Sequence, residues 1–136
     1  MIGYVMVGTN NLSKSITFYD ALLDLLSLKR VDTTDDYAGY ASNNNPENIE
    51  FYITKPVNGE KANFGNGTQI SFITEHKDVV EKFHKLGVEL GGKSEGAPGE
   101  RPEGSKVYYS YVRDLDGNKI CAVSYTHLTL PTILRV

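Results

Sequence analysis

The chain has 136 residues, 40% of them hydrophobic and 23% charged, with a formal net charge of -3. That is enough for one domain with a real core, and the slight acidity speaks against a nucleic-acid partner. No apolar run approaches the ~20 residues that cross a bilayer, and the one cysteine, Cys121, excludes an internal disulfide and suits a reducing compartment. The opening Met1-Ile2-Gly3-Tyr4-Val5 also lacks the basic-then-apolar layout of a secretory leader, so a cytoplasmic location is expected.

Ile2 to Gly8 alternates and predicts a first strand. Asn10 or Asn11 is placed to cap the next helix, whose buried stripe would be Leu12, Ile16, Tyr19, Leu23 and Leu26. Lys29 to Asp32, Tyr37 to Ala41 and Ile49 to Thr54 then read as three strands, parted by polar turns such as Asn43-Asn44-Asn45-Pro46. After a Gly-rich stretch from Asn58 to Gly67 the order repeats. Thr68 to Ile73 predicts a strand, and Val79, Phe83, Leu86 and Leu90 mark one face of a second helix that stops at Gly91-Gly92. Lys93 to Glu95 is a weak strand, and Gly96 to Pro102 reads as irregular loop. Val107 to Arg113 and Lys119 to Ala122 predict a closing hairpin around the two-residue turn pair Asp116-Gly117. The chain thus reads as α+β, one βαβββ unit written twice.

Three marks in order carry a resemblance to a known family: Phe18-Tyr19-Asp20 in the first helix, Gly65-Asn66-Gly67-Thr68 before the second unit, and Asp114-Leu115-Asp116-Gly117-Asn118-Lys119 at the hairpin. Together they resemble the vicinal oxygen chelate superfamily, which includes glyoxalase I, bleomycin-resistance proteins and extradiol dioxygenases. Leu115 stands where that family's turn usually has proline. The resemblance covers residues 1–122 as a single domain, with module 1 at about 1–56 and module 2 at about 67–122. It implies a curved eight-stranded mixed sheet, cupped around a ligand, with helices outside and commonly a homodimer.

The same resemblance assigns four cup positions to a divalent metal, and here they read Tyr4, Glu50, Gln69 and Cys121. One carboxylate, one amide, one phenol and one thiol make a poor set for nickel, zinc or non-haem iron. A resident metal is therefore not expected, although the family leaves a divalent ion open. His76 and His84 fall on the second helix, away from the cup, and are expected to be exposed, with His84 on the helix surface or beside a neighbour. Strand alternation predicts which side chains face the ligand: Tyr4, Glu50, Tyr52, Gln69, Ser71, Tyr109, Tyr111 and Cys121, with Ile49, Phe51, Ile53, Ile70 and Phe72 turned the other way.

Three functions are compatible with this pattern. The first is a metal-free small-molecule binder of the bleomycin-resistance type, whose tyrosines suit a planar or cationic aromatic ligand. The second is a glyoxalase-like lyase or isomerase with Glu50, its pKa raised by burial beside tyrosines, as general base. In a purely structural role Glu50 would instead be tied to Arg113 or Lys119, and the tyrosines would only pack the sheet. The third is an interaction module with a vestigial pocket. No nucleic-acid or membrane partner is expected.

From Val123 the sequence Val-Ser-Tyr-Thr-His-Leu resembles the translated transposon adaptor of sequencing libraries. Residues 123–136 are therefore read as an adaptor-derived tail, and His127 is given no role. The alternative is a natural extension of the last strand through Leu130, ended by Pro131.

Overall fold

The computed structural model describes residues 1–125; the remainder of the expected tail, including His127, lies outside the described residues. Its elements are β1 (Val5–Gly8), α1 (Leu12–Asp24), β2 (Leu28–Thr33), β3 (Tyr37–Ser42), β4 (Ile49–Thr54), β5 (Ile70–Thr74), α2 (Lys77–Glu89), β6 (Lys93–Glu100), β7 (Tyr108–Arg113) and β8 (Lys119–Ser124). This is βαβββ twice, in the α+β class the sequence predicts. The strands form two four-stranded ladders of identical order, β1-β4-β3-β2 and β5-β8-β7-β6. In each, the first strand lies parallel to the last and the other pairs are antiparallel.

Helix α1 begins, and helix α2 ends, for a local reason. Asn11 is the cap of α1, its Oδ1 accepting from the Lys14 N–H at 3.1 Å, which satisfies one of the orphan donors of the first turn. Asn10 does not cap the helix. Its side-chain amide exchanges two hydrogen bonds with the backbone of Ala62 and so pins the inter-module loop. Helix α2 ends at Gly91, whose φ of 105° is left-handed, and Gly92 N–H returns to the Gly87 carbonyl at 2.9 Å. Gly92 tolerates no side chain, since a Cβ there would stand 2.6 Å from the Arg113 carbonyl.

The helices bury one face of each sheet in a single continuous core. Phe18, Tyr19, Leu22 and Leu23 of α1 and Val80 and Phe83 of α2 meet Tyr40, Phe51 and Ile53 of one sheet and Val112, Ile120 and Ala122 of the other. A run of aromatic contacts crosses the module boundary, Tyr19 to Phe51 at 5.1 Å, Phe51 to Phe72 at 5.3 Å and Phe72 to Phe83 at 6.5 Å between centroids. In α2 it is Val80, not the expected Val79, that is fully buried.

Polar bonds also join the modules at the β7–β8 turn. Asp114 is buried, and its carboxylate accepts from the Tyr19 hydroxyl of α1 (2.6 Å), the Asn118 amide (2.9 Å) and the backbone N–H groups of Asp116 and Asn118 (2.9 Å each). Asn118 donates on to the Gly8 carbonyl at 2.9 Å, and Asn10 N–H donates to Asp116 at 2.8 Å. Burial and the Asp114 charge push the Tyr19 pKa well up, so the phenol keeps its proton as donor. Burial also raises the Asp114 carboxyl, against the downward pull of its four donors.

Three expectations are corrected. The turn is not a two-residue one: Asp114 N–H bonds to the Asn118 carbonyl across Leu115-Asp116-Gly117, with Gly117 at φ 89°, a three-residue turn ending in a left-handed glycine. The weak sixth strand is longer than expected, because β6 continues through Gly96 to Glu100. It holds two register shifts, between Ser94 and Gly96 and between Gly96 and Gly99, so a bulged edge strand absorbs the glycines and proline that read as loop. Finally, Ile49 does not face the core with Phe51. Ala41 pairs with Ile49 and Tyr40 with Phe51, leaving Glu50 as the extra residue of a bulge, and Ile49 side-chain atoms come within 3.1 Å of where a Cβ on Gly39 would stand, beside Tyr52.

The Tyr19–Asp114 bond is the one side-chain bond joining α1 to the closing turn among the described residues. Tyr19→Phe is expected to lower unfolding free energy in urea by about 1.5–3 kcal/mol, the usual cost of deleting a hydrogen bond to a charged group. An unshifted midpoint would show that the turn is held by packing alone.

Candidate functional site

The faces turned away from the helices carry the residues the sequence singled out, but in two groups. On the first module Tyr4, Tyr37 and Tyr52 make a cluster, with Tyr52 edge-on to Tyr4 at 5.0 Å and to Tyr37 at 5.6 Å. Gly39 makes this possible: it pairs with Tyr52 across the ladder, and a Cβ there would sit 2.9 Å from that ring. Tyr37 donates to Asp32 at 3.2 Å. Glu50 is exposed on its bulge and makes no ion pair among the described residues, so the burial beside tyrosines expected for a general base is not found.

On the second module, register aligns Ser71, Cys121 and Tyr111 on neighbouring strands β5, β8 and β7. Tyr109 lies parallel to Tyr111, with an interplanar angle of 8° and centroids 5.9 Å apart. Two cations flank the same ring, the Arg101 guanidinium at 5.2 Å and the Lys119 ammonium at 5.1 Å from the Tyr111 centroid. Gly96 leaves room for this, since a Cβ there would meet Tyr111 at 2.8 Å and Arg101 at 2.9 Å. Arg113, considered above as a partner for Glu50, pairs instead with Glu95 at 2.8 Å, which holds that carboxyl below its usual range.

Where the modules meet, Glu50, Gln69 and Ser71 line one groove of about 470 Å³ together with Ile2, Val5 and Phe72. Of the eight predicted residues, these three share a cavity. Tyr4 and Tyr52 lie on one face, and Tyr109, Tyr111 and Cys121 on the other. Sequence reasoning missed three residues. Tyr37 was legible from its period-two relation to Gly39 on β3, and Lys119 from its relation to Cys121 on β8. Arg101 was not, because it follows a strand that read as loop. His84, expected on the helix surface or beside a neighbour, is half-buried and bonds the Ser94 hydroxyl at 2.7 Å.

The four positions assigned to a metal do not form a ligand set. Tyr4 is 57% exposed and leans on Tyr52. Gln69 donates its amide to Ser71 at 3.0 Å. Cys121 is wholly buried, and burial pushes its thiol up, against smaller downward pulls from Ser71, Lys119 and Arg101. It is therefore a neutral thiol at pH 7, a poor ligand and a poor nucleophile. Among the described residues no three of His, Cys, Asp and Glu gather at one point.

Two βαβββ modules of this order, joined through their helix sides with polar-aromatic faces on the other side, define the vicinal oxygen chelate architecture. The family model of the Glyoxalase/Bleomycin resistance protein/Dioxygenase superfamily matches residues 1–122, and the chain belongs to that superfamily. A solved glyoxalase/bleomycin resistance protein from Albidiferax ferrireducens T118 is 39% identical, with a TM-score of 0.80 over 91% of this chain and 98% of that one. A glyoxalase-related enzyme from Fulvimarina pelagi aligns at 17% identity and a TM-score of 0.69, over 91% of this chain and 87% of that one. A lactoylglutathione lyase from Agrobacterium tumefaciens aligns at 15% and 0.65, over 96% and 97%; at these identities the likeness concerns the fold. No curated protein matches the chain.

The buried neutral thiol generates a direct expectation. Ellman's reagent at pH 7 should leave Cys121 unmodified in the folded protein and titrate it fully in denaturant. Rapid labelling of the native protein would mean an accessible thiolate and would reopen its candidacy as ligand or nucleophile.

Proposed function

We propose that the protein binds a small molecule, without help from a metal, on aromatic faces that a second copy of the chain closes into a cup. The observation that carries this is the unfinished state of those faces in one chain. β1 and β5 are edge strands of their ladders, and exposed apolar side chains stand along them: Tyr4 at 57%, Met6 at 47% and Ile73 at 53%. Apolar side chains left open along strands with unpaired backbone are a contact surface in waiting. A family in which dimers are common supplies the occupant. The tyrosine clusters on either module then offer flat faces with polar rims, which suit recognition better than chemistry.

Sedimentation equilibrium is expected to give a dimer. Met6→Asp, which puts a charge on an exposed position outside the buried core, should give a folded monomer. Ligands that raise the melting temperature of the dimer should fail on this variant. A wild-type chain that stays monomeric at high micromolar concentration would remove the two-chain cup.

A glyoxalase-like lyase remains the second reading, favoured by one feature: Glu50 and Gln69 line the same groove. Glu50 would take the proton next to a carbonyl, and general-base catalysis of that kind is worth ~10²–10⁴ in rate. If the wild type isomerises a glutathione hemithioacetal, Glu50→Gln should lower kcat by about 100-fold or more. Absence of turnover in the wild type discards this reading and leaves the binder.

A further inference from the structure

We infer that the second-module face is an anion subsite: Arg101 and Lys119 hold the carboxylate of a planar aromatic acid whose ring packs against Tyr109 and Tyr111. The inference rests on the small-molecule reading above and sets aside the cationic half of the sequence-based expectation of a planar or cationic aromatic ligand.

The reason is what already occupies the tyrosines. A cation is drawn to an aromatic face by the ring quadrupole, but the chain itself supplies two cations to Tyr111, at 5.2 Å and 5.1 Å. A third would meet repulsion. Neither cation has a carboxylate partner among the described residues. Arg101 spends two donors on backbone carbonyls, Ala97 at 2.8 Å and Gly99 at 3.4 Å, which fixes the plane of its guanidinium and leaves further N–H groups unused. Glu95, the carboxylate on the same side that feels Lys119, is already bonded to Arg113. Among the described residues this face brings Arg101 and Lys119 together at Tyr111, alongside an Arg113 already paired with Glu95, in a chain whose net charge is -3.

Shape agrees with charge. Tyr109 and Tyr111 stack on one another, parallel within 8° and 5.9 Å between centroids, so their rims form one aromatic edge against which a further ring can pack edge-on. Cys121 and Ser71, next to Tyr111 across the ladder, make the floor beside it small and uncharged. Arg101 is preorganised by its backbone bonds, so an oxyanion meets it with little further ordering of the side chain. The first-module face differs: Tyr37 donates there to Asp32, Glu50 is exposed on its bulge, and among the described residues no cation lies over its tyrosine rings.

The test compares three probes of one shape by isothermal titration: 2-naphthoate, its neutral amide 2-naphthamide, and the cation 2-naphthylmethylammonium. The full-length protein is used throughout. Naphthoate is expected to bind at least ~10-fold more tightly than either analogue and to weaken as sodium chloride is raised, as screening of a charge contact requires. Lys119→Gln should remove most of that preference, and Arg101→Lys should keep more of it than Arg101→Gln. Because Arg101 also ties β6 together, each variant's melting temperature is recorded, and Lys119→Gln provides the reading should Arg101→Gln unfold. Tighter binding of the ammonium probe, or equal binding of acid and amide, overturns the anion subsite while leaving a small-molecule cup intact. Failure of all three probes to bind also overturns it, and the dimer and thermal-shift experiments then decide the cup separately.

Discussion

A single buried carboxylate holds the two halves of this protein in register. Asp114 sits in the closing turn of the second module and receives the Tyr19 hydroxyl from the first helix of the other module. A buried acidic group costs several kcal/mol unless every lone pair is met, and here four donors meet it. Two of those donors come from the turn's own backbone, so turn geometry and inter-module docking are one event. If the turn opens, Tyr19 loses its acceptor inside a core formed by Phe18, Leu22 and Phe51. The aromatic run from Tyr19 to Phe83 then completes with apolar contact what this bond positions.

With the helix sides fused in one core, the opposite faces of both sheets are left outside it. Their shapes depend on small residues at chosen points. Gly39 lets Tyr52 lie across β3, and Gly96 lets Tyr111 and Arg101 share one spot on β6. A bulge puts Glu50 outside the ladder pairing, and two register shifts let the glycine-rich β6 stay in its sheet. These irregularities are what convert two similar βαβββ units into faces of different character, one tyrosine cluster beside acids and one beside cations. The contrast lies in side chains on equivalent strands, not in topology, which is the same in both halves.

The family's metal positions show how a fold can be kept while the side chains at its site change. The strands that would present ligands are in place, but they carry a phenol, an exposed carboxylate, an amide engaged with serine and a buried neutral thiol. Of the four, only Glu50 and Gln69 line one groove, while Tyr4 and Cys121 lie on different faces. What the site offers is surface area, aromatic faces and charge, the features on which the proposed binding reading rests.

Much of the fold was legible in the chain alone, because it rests on local and periodic signals. The helices follow from an asparagine cap, a 3.6-residue stripe and a glycine stop, and β4 follows from strict alternation at Ile49–Thr54. The repeated order of these elements carried the family. Bulges escaped this reading, since alternation assumes unbroken register and one extra residue sends Ile49 to the other face. Arg101 escaped for a related reason: its neighbours Gly96 to Glu100 look like loop, and only pairing with β7 makes them a strand. The sequence by itself determined the strongly periodic elements and the apolar face of most of them, since those depend on neighbours within a few positions. Only the tertiary structure decided that Tyr19 meets Asp114 across 95 positions, and that Arg101 and Lys119 converge on one tyrosine ring. Such meetings depend on how whole sheets dock, which no local pattern encodes.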